Sequence, residues 1–561
     1  MTEPPFSTSA STSAIDDEVA VASDHEPELS PSVLRDLVVE GGLDVLERDG
    51  LSLGARTLSY ARVFDHLERN HGIKVSRASV HERIWASHAD FRRDVIGATI
   101  GHLPTDVLGH QADQLRAVAD AAATVEPELR MAELARRLGP VALHAMLTMP
   151  GYREAQVAKA VAAPPQDSLA SEVLHGPIRA RSHAVLSTFA ERLAAVTGSL
   201  GLRPRPTTGL DRYASHDLLG TLVINLLTGA LLDANAGSHA VVQPLAFRGP
   251  TWSEDAPWTM VGVGLLAFLE LLFEPTDRSP RPDLPLRPAA PPPPVPRIDG
   301  GDGSRRSRQE LRQIVLTAGV EVLLDERLDL RPESLGYVSV FDHIERKQGV
   351  RLFRASVHNR IWESHDHYWL DVLTRAIQID PNVSKQAVDE LLAYQPATRP
   401  DGSVHVRQAA MDILRLVIGA ETVASRQSPD FQRRLAIQAG LLTEPDSELV
   451  SALREAVRTT GLERVAAHSA ALEAHLVSLG FEIRPELGID LAEALRILVT
   501  LSLTTGAGSV FDQLTGVEGS GQRFPLRRAD DPDRTDAWPA GALATWACFD
   551  LLFREIGSTP A

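Results

Sequence analysis

The residues best placed to do chemistry are Arg77-Ala78-Ser79-Val80-His81-Glu82-Arg83-Ile84-Trp85. They combine two guanidinium groups, a hydroxyl, an imidazole and a carboxylate in one short segment. On a helix, Val80 and Ile84 sit at i, i+4 and must face a core. Ala78 and Glu82 then point away from it, and Arg77, Ser79, His81 and Arg83 line the flanks. Small residues at the start and basic residues around the rim suit a helix laid into the DNA major groove, where N-terminal side chains reach base edges. The same pattern returns 277 residues later as Arg354-Ala355-Ser356-Val357-His358-Asn359-Arg360-Ile361-Trp362.

Each of these residues also has a plainer reading. Arg77/Arg354 and Arg83/Arg360 are either DNA contacts or surface charges kept for packing. His81/His358 either donates to phosphate or packs at the surface. Glu82 against Asn359 is the one exposed mismatch in the segment. A Glu accepts from cytosine N4, whereas an Asn pairs with adenine. Projecting into the groove, the two would read different half-sites; otherwise the difference is drift. Trp85/Trp362 and Phe64/Phe341 read as core. Histidines concentrate nearby (His66, His71, His88, His343, His365, His367), but no metal-ligand spacing recurs among them. No Gly-rich phosphate loop, Gly-x-Ser-x-Gly elbow or paired-carboxylate helix appears, so neither an enzyme nor a cofactor is expected.

The repeat extends well beyond the motif. Residues 34–96 and 311–373 align without a gap, with about 29 of 63 positions identical. Internal repeats decide architecture, and two copies are too few for a solenoid. In copy one a first helix is expected over Val33–Arg48, with Leu34, Leu37, Val38, Val45 and Leu46 inward. Thr57, and Ser334 in copy two, would cap a second helix running through Arg69. Gly72 and Gly349 would end that helix. Lys74 and Arg351 stand in the turn before the third helix and join the expected DNA-facing set.

This stretch resembles the DNA-binding domain of the TetR family of bacterial repressors, whose pattern runs roughly Val-Ser-x-Gly-Thr-Leu-Tyr-x-His-Phe-x-Ser-Lys. Here it reads Val75-Ser76-Arg77-Ala78-Ser79-Val80-His81-Glu82-Arg83-Ile84, then Ser87-His88. Copy two reads Leu352-Phe353-Arg354-Ala355-Ser356-Val357-His358-Asn359-Arg360-Ile361, then Ser364-His365. The resemblance covers about 63 residues in each copy. It implies base reading by Arg77, Ala78, Arg354 and Ala355. It implies phosphate contacts by Ser79, His81, Ser356 and His358, and by Thr57 and Ser334 at the second helix. Arg83 and Arg360 stand at the family's His position. Both copies share three departures: a longer turn over 72–76, one added residue at Trp85-Ala86, and His88 in place of Lys. Shared departures mark a variant of the family pattern.

Composition sets the outer limits. The chain has 561 residues, 43% of them hydrophobic and 23% charged, with a net charge of −18 and one cysteine, Cys548. A lone cysteine excludes an internal disulfide framework. Residues 1–30 read as a disordered polar tail without signal-peptide character. Lacking an apparent apolar run of ~18 residues, the chain reads as a cytoplasmic, nucleoid-associated protein with no membrane contact. The acidic total weighs against nucleic acid, whose binders usually show a basic footprint. Locally, residues 56–93 carry about eight basic and four acidic side chains, while 333–370 are about neutral.

Residues 275–308, with Pro291-Pro292-Pro293-Pro294 and Gly300-Gly301, read as a linker. The expected fold is all-α, in two tandem units. Helix-turn-helix domains span 31–100 and 309–378. Larger helical ligand and dimerisation domains span 101–274 and 379–556. The rear halves still echo one another: Leu210-Asp211 matches Ile489-Asp490, and Leu271-Leu272-Phe273 matches Leu551-Leu552-Phe553. The TetR resemblance implies that the apolar stripes at about 215–235, 258–274, 489–505 and 541–555 pair as a four-helix bundle within one chain. The linker could span about 100 Å at 3.1 Å per residue. The resulting expectation is a single-chain pseudo-dimeric repressor on double-stranded DNA with two half-sites, released by a small apolar effector. The alternative is a helical pseudo-dimer that has lost DNA binding and serves as a sensing or interaction module.

Overall fold

The computed structural model describes residues 30–49, 59–76, 84–88, 105–148, 186–237, 239–251, 256–276, 336–348, 361–377, 405–441, 448–515, 521–528 and 533–556, with isolated positions between them. These residues are predominantly helical. In the first unit the helices are α1 (Pro31–Asp49), α2 (Tyr60–His71), α3 (Thr105–Ala123), α4 (Arg130–Thr148), α5 (Arg212–Asn235) and α6 (Met260–Leu272). In the second they are α7 (Tyr337–Gln348), α8 (His365–Ile377), α9 (Val406–Gln427), α10 (Pro429–Gly440), α11 (Glu448–Leu479), α12 (Leu491–Leu514) and α13 (Ala540–Leu552).

The front of each unit is built on one aromatic cluster, repeated at the 277-residue offset. Tyr60 stacks on Phe64 and Phe91, at centroid distances of 5.5 and 4.7 Å, and meets the edge of His88. Tyr337 stacks on Phe341 and Tyr368 at 5.6 and 4.8 Å and meets His365 in the same way. Val38, Val45 and Val63 complete the first core without exposure. Trp85 and Trp362 are buried as expected, whereas Phe64 is only half-buried.

Helix α2 begins two residues later than its sequence suggests. Ser59, not Thr57, is the N-cap, and its hydroxyl accepts from the Arg62 amide. Either hydroxyl residue could serve from sequence; Ser59 wins because it directly precedes Tyr60, which anchors the aromatic cluster. Gly72 ends the helix in the left-handed region (φ 67°), as expected, and its N–H reaches Glu68 O. In copy two Gly336 takes the position of Ser59, so a side-chain cap is replaced by backbone alone, with Val340 N bonded to Gly336 O.

The rear core is four helices, α5, α6, α12 and α13, each packed against the others. By length and composition alone, α5 and α12 could cross a membrane, which corrects the expectation of no such run; 78% and 72% of their apolar windows lie buried inside the protein. Two glycines let them approach. A Cβ on Gly229 would lie 1.8 Å from Thr504 O, and one on Gly508 would lie 2.0 Å from Asn225 O. Gly508 is Gly229 plus 279, and Thr504 is Asn225 plus 279, so each contact has a counterpart with the units exchanged. A second exchanged contact sets Arg527 against Gly209 and Arg248 against Gly488, although the hydrogen bonds there differ: the Arg248 amide donates to Leu487 O at 2.9 Å, whereas the Arg527 guanidinium donates to Pro206 O at 3.2 Å.

Short antiparallel ribbons tie the helix ends, a feature missed by the all-α expectation. β1 (Leu202–Pro204) pairs with β4 (Phe273–Pro275), and β2 (Pro244–Leu245) with β3 (Trp258–Thr259). In unit two, β5 (Phe481–Ile483) pairs with β8 (Phe553–Glu555), and β6 (Arg523–Arg527) with β7 (Thr535–Pro539). The expected linker therefore starts later, since Pro275 still belongs to β4.

Candidate functional site

Among the sequence-predicted DNA-facing residues, the structure describes Lys74. It is exposed, and its Nζ lies 3.6 Å from Glu68 Oε1, itself exposed. Such a surface pair contributes little and leaves the ammonium able to exchange partners. Thr57, Arg77, Ala78, Ser79, His81, Glu82, Arg83, Ser334, Arg351, Arg354, Ala355, Ser356, His358, Asn359 and Arg360 lie outside the described residues.

What the structure does describe is the support around that segment. Val80 is fully buried, and the Ile84 amide bonds to Val80 O at 3.1 Å. Trp85 Nε1 donates to Asp94 Oδ2 at 2.7 Å, and Arg35 donates to the same oxygen at 2.7 Å. In copy two Trp362 Nε1 and Arg312 both donate to Asp371 Oδ2 at 2.5 Å. The indole thus fixes the end of each expected recognition segment to the following helix and, through the arginine, to the first.

The second feature is a cavity of about 380 Å³ between the two units, within the ~300–1,000 Å³ usual for small-ligand sites. Unit one contributes Asp233 and Ala236 at the end of α5, and Ala240. Unit two supplies the rest from α10, α11 and α12, including Phe431, Arg434, Leu435, Val457, Arg464 and Leu503. The Thr504 hydroxyl donates across the unit boundary to Asp233 Oδ2 at 2.7 Å.

The charges around it are unequally satisfied. Arg464 has Glu421 at 3.6 Å, Arg458 bonds Glu455, and Arg496 bonds Glu493 at 2.5 Å. Among the described residues, no carboxylate lies within ion-pair distance of Arg434. It is 6% exposed, and its Nη1 has no hydrogen-bond partner. Burial lowers its pKa to about 9, helped by the neighbouring Arg464 and opposed by Asp233. Burial likewise raises the Asp233 carboxyl, against the Thr504 bond and the two arginines.

The exchange-related position is built differently. Asp512 corresponds to Asp233, and Lys159 Nζ lies 3.8 Å from its Oδ1. Burial pushes this carboxyl up to about 6, with Lys159 pulling the other way. Asn225, the counterpart of Thr504, is buried with Nδ2 unbonded. In sequence, Arg434 aligns with Ala155 and Gln438 with Lys159. Sequence reading passed over Asp233 and Asp512. The available signal was an acidic residue at the same place near the C-terminal end of two largely apolar helices. Arg434 gave no signal, because its cavity is assembled from segments about 200 residues apart.

No family model matches the chain, and no match was found among the curated proteins or the solved structures.

Proposed function

We propose that the chain is a DNA-binding transcriptional regulator, a repressor, working as a single-chain pseudo-dimer on an operator with two half-sites. The observation that carries this reading is the duplicated support of the Arg77–Trp85 and Arg354–Trp362 segments. Each ends on an indole held by a carboxylate that also binds the first-helix arginine. A segment anchored at one end on a rigid cluster suits a recognition helix, whose rim must be held in register with phosphates. The exchanged contacts between α5 and α12 support the pseudo-dimer, because they are what two equivalent units around one axis would make. The TetR resemblance supplies the roles proposed for Arg77, Ala78, Ser79, His81 and Arg83 and their second-copy partners. An effector held in the rear half would act by shifting the spacing of the two front domains.

A second reading has its own observation. The net charge is −18 and residues 333–370 are about neutral, which favours a pseudo-dimer whose second copy, or both, no longer touches DNA. Gel-shift titration with the DNA upstream of the chain's own coding sequence separates the two. The regulator reading expects binding that Arg77→Ala combined with Arg354→Ala abolishes. Loss from Arg77→Ala alone, with none from Arg354→Ala, would make copy two a structural partner.

A further inference from the structure

We propose that the cavity between the units binds an amphipathic organic anion, with its carboxylate on Arg434 and its apolar body among Phe431, Leu435, Val457 and Leu503. Two independent features point to it. One is shape: the space is about 380 Å³ and mostly apolar, enough for a chain or ring of moderate size. The other is the guanidinium itself. Buried cations are ordinarily paired, since leaving a donor unbonded forfeits its desolvation cost. Arg434 is nine-tenths buried, lines the cavity and keeps Nη1 unbonded, while the neighbouring Arg458, Arg464 and Arg496 have carboxylates of their own. Asp233, which accepts the Thr504 hydroxyl on Oδ2, acts on Arg434 through space but makes no hydrogen bond to it, so Nη1 stays unbonded. A planar carboxylate is the geometry a guanidinium fork matches best. The wholly apolar effector expected from sequence would leave that fork bare.

The site also differs from its exchange-related position, where Lys159 approaches Asp512, and in sequence the arginine aligns with Ala155. One anion per chain follows. Asp233 and Ala240 come from one unit and Arg434 from the other, so an occupant touches both and bears on how they sit together. The inference names the ligand class for the effector role proposed above and rests on that reading only for what binding does. Its test contains no DNA, so the two can fail separately.

Calorimetric titration of the full chain with octanoate, octanol and octylamine is the experiment. Octanoate is expected to bind one per chain, about tenfold or more tighter than octanol, with octylamine weakest. Arg434→Gln should cost octanoate about tenfold or more and leave octanol unchanged, and Arg434→Lys should restore part of the loss. Circular dichroism checks that each variant is folded; if Arg434→Gln is not, the octanoate-to-octanol ratio and the Arg434→Lys variant carry the decision. Equal affinity for acid and alcohol, no binding of octanoate, or unchanged octanoate binding in folded Arg434→Gln overturns the proposal.

Discussion

Asp94 is the residue on which the first front domain turns. It takes hydrogen bonds from Trp85 and from Arg35 on one oxygen. Arg35 is about half exposed, so removing it should cost only ~0–1 kcal/mol. The indole is buried and would lose its Asp94 acceptor in Asp94→Ala, which should cost about 1–3 kcal/mol by chemical denaturation. Equal losses in Arg35→Ala and Asp94→Ala would contradict this ranking. Asp512 gives a pH prediction of defined sign. Its folded pKa of about 6 lies above the ordinary carboxylate value. The folded state therefore holds its proton longer than the unfolded chain, and stability falls as pH rises from about 4 to about 6. Asp512→Asn should be more stable than the parent at pH 7.5, by up to about 3 kcal/mol, with the advantage gone near pH 4. A difference in melting behaviour that stays flat across that range would refute the assignment.

At the scale of elements, the crossing of α5 and α12 decides whether the units hold together. Glycine inside a helix ordinarily costs ~1 kcal/mol relative to alanine, so Gly→Ala should stabilise on propensity alone. Here a methyl on Gly229 or Gly508 would meet backbone oxygen at 1.8 or 2.0 Å, and backbone cannot step aside as a side chain can. The steric term wins, and each substitution should destabilise by about 2 kcal/mol or more, measured by denaturant unfolding. Gly506, with open space around it, is the control and should show the ordinary gain. These helices were legible in the sequence because Leu218, Leu222, Leu226 and Leu495, Leu498 repeat at helical spacing, and burial follows that spacing. The second front helix was legible in extent but not in its first turn, since Thr57 and Ser59 offer the same hydroxyl and only packing of Tyr60 separates them. The ribbons were not legible because most run two or three residues, too few to show alternation. Of the two five-residue strands, β6 does alternate between buried and exposed residues but contains Pro525, which reads as a strand breaker. The cavity was invisible for another reason: it exists only when α5 of one unit meets α10 and α11 of the other.

At the scale of the whole molecule, duplication followed by unequal change joins the observations. The front aromatic clusters stayed nearly the same, down to Trp85 with Asp94 and Trp362 with Asp371. The central crossing stayed the same, Gly229 and Gly508 included. The places where ligands would act diverged: Glu82 against Asn359 at the front, and Arg434 with its cavity against Ala155 and the Lys159–Asp512 pair at the rear. A fused pair can specialise in this way, because neither half need be identical to the other. For the regulator proposed above, this predicts an operator with unlike half-sites and one-sided sensing. Binding to the chain's own upstream DNA, measured against salt, tests the proposed DNA binding by two linked recognition segments most directly. With about 6–10 phosphate contacts, affinity should fall roughly 10³–10⁵-fold between 50 and 200 mM salt, and Arg77→Ala with Arg354→Ala should abolish it. Salt-insensitive binding, or none at either concentration, would contradict the account.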